Sequence, residues 1–124
     1  MSDEPPLRFP VEVVGAVDRI VSGARARRGW FMHRRANRRG KRDLGLTDDG
    51  AWDVIAALTV ADYHAGPEPD HHFADRQLWV FAPLVGTARA YLKVSFRPSD
   101  HPPDTTLVVW SIHPARFEMR RPYA

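Results

Sequence analysis

The clearest pattern in the chain is the alternation along Arg89-Ala-Tyr-Leu-Lys-Val-Ser-Phe96. Ala90, Leu92, Val94 and Phe96 fall on one side, and Tyr91, Lys93 and Ser95 on the other. Period-two alternation marks a strand with one buried face. A later run, Leu107-Val-Val-Trp-Ser-Ile-His113, predicts a partner strand. In it Val108, Trp110 and Ile112 share the core side, and Ser111 and His113 point the other way. Antiparallel pairing of the two runs would put Tyr91, Lys93, Ser111 and His113 on one open surface. Gln77-Leu-Trp-Val-Phe-Ala82 predicts a further strand, stopped by Pro83. Pro98-Ser-Asp-His-Pro-Pro-Asp104 reads as a long turn, because proline cannot donate to a sheet ladder.

The first half of the chain has a different period. Val13 or Val14, Val17, Ile20 and Val21 recur at helical spacing, Pro10 suits a first turn, and Gly23 reads as a stop, so a helix is expected over about 10–22. Thr47 followed by Asp48 and Asp49 is a helix start, with the acidic pair at the positive end of the dipole. Trp52, Ile55 and Leu58 supply the apolar stripe of this second helix. Thr59-Val-Ala-Asp62 reads as a capping box for one more turn that reaches Tyr63 and His64. Gly66-Pro-Glu-Pro-Asp70 reads as a breaker, followed by the polar loop His71-His-Phe-Ala-Asp75. Helices first and a meander afterwards predict an α+β domain over 9–116. Its helices would lie on one face of a small antiparallel sheet, leaving the other face free. Residues 1–8 read as a flexible tail, and 117–124 as a tail or a short edge strand.

Composition narrows the class. The chain has 124 residues, 44% of them hydrophobic, enough for one real core. It has no cysteine, which excludes a disulfide framework and thiolate metal sites. Met1-Ser-Asp-Glu-Pro-Pro6 is acidic and polar, and no stretch is long and apolar enough to span a membrane. The expectation is a cytoplasmic protein with no membrane partner. The net charge of +3 hides a strong local bias. Arg25, Arg27, Arg28, Arg34, Arg35, Arg38, Arg39, Lys41 and Arg42 crowd one segment, with Trp30, Phe31 and His33 among them. Such a segment suits phosphate and stacked bases. The competing reading is a solvated basic helix that docks an acidic partner. It is expected to be partly helical over about 31–39, punctuated by Gly29 and Gly40.

Six short motifs run in order along the chain: Asp43-Leu-Gly-Leu-Thr47, Val54-Ile-Ala-Ala-Leu-Thr59, Asp62-Tyr63, Leu78-Trp79, Ala90-Tyr-Leu-Lys-Val94 and Leu107-Val-Val-Trp-Ser-Ile112. The series resembles the MqsR-like toxins of type II toxin–antitoxin systems, which are RelE-like messenger-RNA interferases, and it covers roughly 11–113. The resemblance implies a RelE-like α+β fold, a metal-independent endoribonuclease that needs no cofactor, single-stranded RNA as substrate, and a cognate antitoxin protein as partner. It assigns Tyr91 to the active site, matching the family's strand-centre tyrosine. Three other family positions differ. Ala65 stands where the family has lysine, Val80 where it has glutamine, and His113 where its last strand ends in lysine.

Cleavage of RNA without a metal needs a base for the 2′-hydroxyl, an acid for the leaving 5′-oxygen, and cations for the phosphate. The catalytic candidates are Tyr91, His113 and, if the short turn packs near the sheet, His64. Lys93, Arg89 and Arg76 are the phosphate-binding candidates. Each also has a plainer structural reading: His113 and Lys93 as surface residues, Tyr91 as a packed aromatic, His64 as a helix-end residue meeting the negative dipole. His71 and His72 with Asp70, Asp75 and His64 form a possible metal constellation, but the spacing matches no zinc pattern, and a polar loop is the reading taken. The alternative function is a catalytically lost RNA- or protein-binding module of the same fold, motivated by Ala65, Val80 and His113.

Overall fold

The computed structural model describes residues 9–124, so the expected tail 1–8 lies outside the described residues. Helix α1 spans Val11–Arg25, strand β1 Gly29–Phe31, helix α2 Arg35–Asp43 and helix α3 Asp48–Ala56. A short 3₁₀ turn, Val60–Asp62, leads into β2, Tyr63–Pro69; then come β3, Gln77–Phe81, and β4, Leu84–Val85. Strand β5 is Ala88–Phe96, and β6 is Leu107–Pro114. The sheet order is β1-β6-β5-β3-β2, with β4 folded back as a hairpin on β5. Every pairing is antiparallel except β1 with β6. The class is therefore α+β, as the order of elements predicts.

One sheet face carries the main core. Leu92, Val94 and Phe96 of β5 join Trp79 and Phe81 of β3 and Leu107, Val109 and Ile112 of β6 beneath α1 and α3. The α1 stripe of Val13, Ala16, Val17 and Ile20 and the α3 stripe of Ala51, Trp52 and Ile55 complete it, with Leu58 just beyond. Each large side chain buried here contributes about 1.5–3 kcal/mol. Thr47 caps α3 by accepting from the Gly50 N–H at 3.0 Å, as its sequence position predicts. Gly23 does not stop α1. It lies buried inside the helix, where an added Cβ would meet the Thr105 carbonyl oxygen at 2.9 Å, and close packing explains the glycine.

The last strand departs from its expected parity. Val108 and Trp110 do not share a face with Ile112; they pack with Leu78 on the opposite side of the sheet. The cause is a bulge in the β5–β6 ladder. Lys93 pairs with Ser111 but Val94 with Val109, so Trp110 is the extra residue and the alternation resets across it. The indole Nε1 of Trp110 donates to Ser95 Oγ at 3.0 Å on that second face.

The basic segment is more ordered than its composition suggests. Its start forms β1, parallel to the beginning of β6, with Trp30 opposite Val108. Its remainder forms α2, which takes over the edge of β6 where β1 ends. The buried Asn37 side chain donates to the Trp110 carbonyl at 3.0 Å and accepts from the Ile112 N–H at 3.3 Å, standing in for a neighbouring strand. Gly40 is no helix break; it lies mid-helix, where any side chain would run into the Ile112 carbonyl oxygen.

Two further expectations are corrected. Gly66 to Pro69 is part of β2 rather than a breaker, an irregular edge strand with two register shifts, where the N–H that proline lacks can face away from the ladder. The capping box at Thr59 and Asp62 is present, but it leads into β2, so His64 is a strand residue and not a helix end. Residues 117–124 form no strand, and they are not loose: Met119 is buried against Val80 and Ala82, and Tyr123 stacks on Tyr63 at 5.4 Å.

Candidate functional site

The second sheet face is covered at both ends and open between them. At one end the 70–76 loop folds over Trp110. Asp70 pins that loop by accepting from the N–H groups of His72 and Phe73, and the His72 ring stacks on Trp110 at 5.0 Å. Arg34, at the start of α2, lies over the same indole, its Cζ 5.4 Å from the ring centre. At the other end the chain beyond β6 crosses the face through Phe117 and Met119. The face is therefore less free than the sequence suggests.

Between these covers, four expected residues come together. Tyr91 pairs directly with His113 and Lys93 with Ser111, two rows of the β5–β6 ladder that flank the core-facing Leu92–Ile112 pair. All four side chains share this face because the bulge, at Trp110 opposite the Lys93–Val94 step, lies beyond both pairs and leaves the Tyr91 and Lys93 rows in step. Same-face neighbours along a strand are about 7 Å apart, and direct partners about 5 Å. The Tyr91 and His113 rings stack at 5.0 Å, only 8° from parallel.

The hydrogen bonding of His113 defines what it can do. Its Nδ1 lies 2.7 Å from the Pro114 carbonyl oxygen. A carbonyl only accepts, so Nδ1 carries the proton, and in the neutral ring Nε2 keeps its lone pair. That nitrogen can take a proton from a hydroxyl. Tyr91 is biased the other way. Partial burial, and secondarily the negative charge of Glu68, push its hydroxyl above the ordinary value of 10.0, holding it as a neutral proton donor. Lys93 is half-buried and makes no ion pair among the described residues, which leaves its ammonium for an anion.

The other candidates lie at graded distances. His64, on β2, donates from Nδ1 to the Arg120 carbonyl at 2.7 Å and lies beside Phe117, whose ring also meets Tyr91 edge-on at 6.1 Å. It thus borders the patch across Phe117. Arg89 is tied back, donating to the Ala82 carbonyl at 2.9 Å. Arg76 is at the opposite end. It precedes Gln77, which pairs with Phe96 far along β5 from Tyr91, and its guanidinium lies against Phe73 and Trp30. It is no part of the Tyr91 patch. Among the described residues no group of three or more His, Asp or Glu is placed to hold a metal ion; His71 and His72 are exposed loop residues.

Two features of the site are not evident from sequence alone. Ala65 and Val80 pair with each other and pack with Tyr91 beneath Met119, so the positions that differ from the toxin pattern are neighbours in space. The arginines of α2 also form a row. With Asn37 and Gly40 turned toward β6, Arg35, Arg38, Arg39 and Arg42 fall at i, i+3, i+4 and i+7 on the outward side. None of the four makes an ion pair among the described residues, and together they line a concavity of about 430 Å³. Their spacing is visible in the chain, but only the burial of Asn37 and Gly40 reveals which side faces out.

Comparison of the chain with protein families, with curated proteins and with solved structures finds no match.

Proposed function

We propose that this protein is a type II toxin of the MqsR-like, RelE-like kind: an endoribonuclease that cuts single-stranded messenger RNA by acid–base chemistry and is restrained by a cognate antitoxin. The observation that carries the reading is the stacked pair of Tyr91 and His113. His113 Nε2 takes the proton of the ribose 2′-hydroxyl. The freed oxygen attacks the adjacent phosphorus, and the neutral Tyr91 hydroxyl protonates the departing 5′-oxygen. Lys93 stabilises the charge that builds on the phosphoryl oxygens. The products are a 2′,3′-cyclic phosphate and a 5′-hydroxyl. Single strands suit an exposed sheet face because their bases are free to stack.

The α2 arginine row supports a polyanionic substrate. Arg35 stands at the positive end of the helix, with no acidic residue in the first turn to offset it, while Arg42 in the last turn complements the helix dipole.

Incubating the purified protein with RNA in the presence of a chelator tests the reading, together with growth on induction. The expected results are fragments ending in cyclic phosphate and growth arrest relieved by the antitoxin. A second reading, a binding module without catalysis, is favoured by the apolar Ala65 and Val80 beside Tyr91. It predicts bound but intact RNA and normal growth.

A further inference from the structure

The segment after β6 is an addition to the sheet face that the cleavage chemistry does not use. It runs Ala115-Arg-Phe-Glu-Met-Arg-Arg121. Two contacts anchor it. Met119, 8% exposed, is buried against Val80 and Ala82, and the Arg120 carbonyl accepts from His64 Nδ1. Between the end of β6 and this anchor the chain lifts Phe117 onto the open face. Phe117 is 54% exposed, and its ring lies edge-on to Tyr91 at 6.1 Å and tilted against His64 at 6.0 Å. Its neighbours Arg116 and Arg120 are exposed and make no ion pair among the described residues; Glu118 is the single acidic residue between them.

The open side of the Phe117 ring, held between Tyr91 and His64, is free to meet a flat partner. We infer that Phe117 is the stacking platform for a nucleobase next to the scissile phosphate, and that the 115–121 segment is a single-stranded RNA-binding arm of the site. This rests on the endoribonuclease reading and names the element that would seat its substrate. Aromatic faces accept any base, and the flanking arginines follow the sugar–phosphate chain. The division of labour within the segment is what separates an arm from an inhibitory plug. The buried residue, Met119, lies over the apolar Val80 and Ala82, whereas the residue nearest the catalytic pair, Phe117, presents its ring to solvent. His64 acts here as a positioning residue, since its Nδ1–H holds the backbone that carries the arm.

The test uses the full chain and a single-stranded 2′-O-methyl RNA containing 2-aminopurine, which cannot be cleaved because the attacking hydroxyl is blocked. The wild-type protein is expected to bind it and quench the 2-aminopurine emission through stacking. Phe117→Ala should weaken binding about tenfold or more and abolish the quenching, while Phe117→Trp should keep both. Thermal unfolding of the variants checks that this exposed position leaves the fold intact. Equal binding and quenching by Phe117→Ala overturns the inference, as does failure of the wild-type protein to bind the strand. Faster cutting of ordinary RNA by Phe117→Ala also overturns it, and marks the segment as an inhibitory cover. Binding of the blocked strand is read without cleavage, so failure of the arm and failure of the endoribonuclease reading give different results.

Discussion

The Asn37 side chain holds the backbone of Trp110: its amide donates to the Trp110 carbonyl at 3.0 Å, at the residue where the β5–β6 ladder bulges. The same amide accepts from the Ile112 N–H and also donates to the Met32 carbonyl at 2.9 Å. One buried side chain thus satisfies two backbone groups of β6 that β1 is too short to reach, while the Met32 carbonyl also accepts from the Arg34 N–H. Asn37→Ala strands the two β6 groups, and a buried unpaired polar group costs about 1–3 kcal/mol. The expected result is a drop of that size or more in the free energy of urea unfolding, with disruption of the Tyr91–His113 register. An unchanged denaturation midpoint would show that α2 is not the strand substitute described.

Gly40 tests the same packing from the other side. Alanine raises helix propensity by about 1 kcal/mol over glycine, so Gly40→Ala in an exposed helix would stabilise. Here the new methyl would meet β6 backbone, which cannot rotate away as a side-chain tip can. Overpacking of this kind costs about 1–3 kcal/mol, and the clash outweighs the propensity. Net destabilisation is expected by thermal melting; stabilisation would mean that the helix stands off the strand.

How far the fold is readable in the chain follows from these interactions. The alternation of Ala90 to Phe96 and the Thr47-capped stripe of Trp52 and Ile55 depend on local periodicity, and both occur where expected, while Leu58 is buried just past the end of the helix rather than within it. Strict alternation puts Trp110 on the wrong face, because a bulge adds one residue without changing composition. Strand β1 is hidden because three residues between arginines carry no period, and its pairing with β6 is parallel and distant in sequence. Strand β2 is masked by Gly66, Pro67 and Pro69, which break central strands but are tolerated at an edge. At the site, the union of Tyr91, Lys93, Ser111 and His113 is legible because those rows lie on one side of the bulge. The approach of Phe117 and Met119, and the remoteness of Arg76, are not, since both depend on where loops cross the sheet.

The tyrosines give a pH prediction. Tyr91 and Tyr63 are both raised above the ordinary value of 10.0, first by burial and then by neighbouring negative charge: Glu68 for Tyr91, and Tyr123, Glu12 and Glu68 for Tyr63. A raised value in the folded state means that the unfolded chain ionises first. The stabilisation is complete below the unfolded value near 10.0 and is lost as pH rises through the folded value. Tyrosinate absorbance should show late-ionising tyrosine in the native protein, reduced in Tyr91→Phe, and unfolding midpoints should fall above that pH. Ionisation of every tyrosine at the unfolded value would contradict the assignment of Tyr91 as a protonated donor.

The α2 row makes an electrostatic prediction. If Arg35, Arg38, Arg39 and Arg42 meet phosphates, replacing Arg35 and Arg39 by serine should weaken RNA binding across all sequences. It should also reduce the slope of log K against log salt by about 0.7 for each phosphate no longer neutralised. Fluorescence anisotropy over a salt series measures both. An unchanged slope would assign the row to some other acidic partner.

Proton transfer by Tyr91 and His113 at a phosphodiester is the step on which the functional reading depends, and single-turnover cleavage of a single-stranded RNA in excess chelator isolates it. The wild-type protein should cut to 2′,3′-cyclic phosphate ends, with Tyr91→Phe and His113→Ala each slower by about 10²- to 10⁴-fold at unchanged thermal stability. Intact RNA with the wild-type protein, or equal rates in the two variants and the parent, would refute that role for the pair.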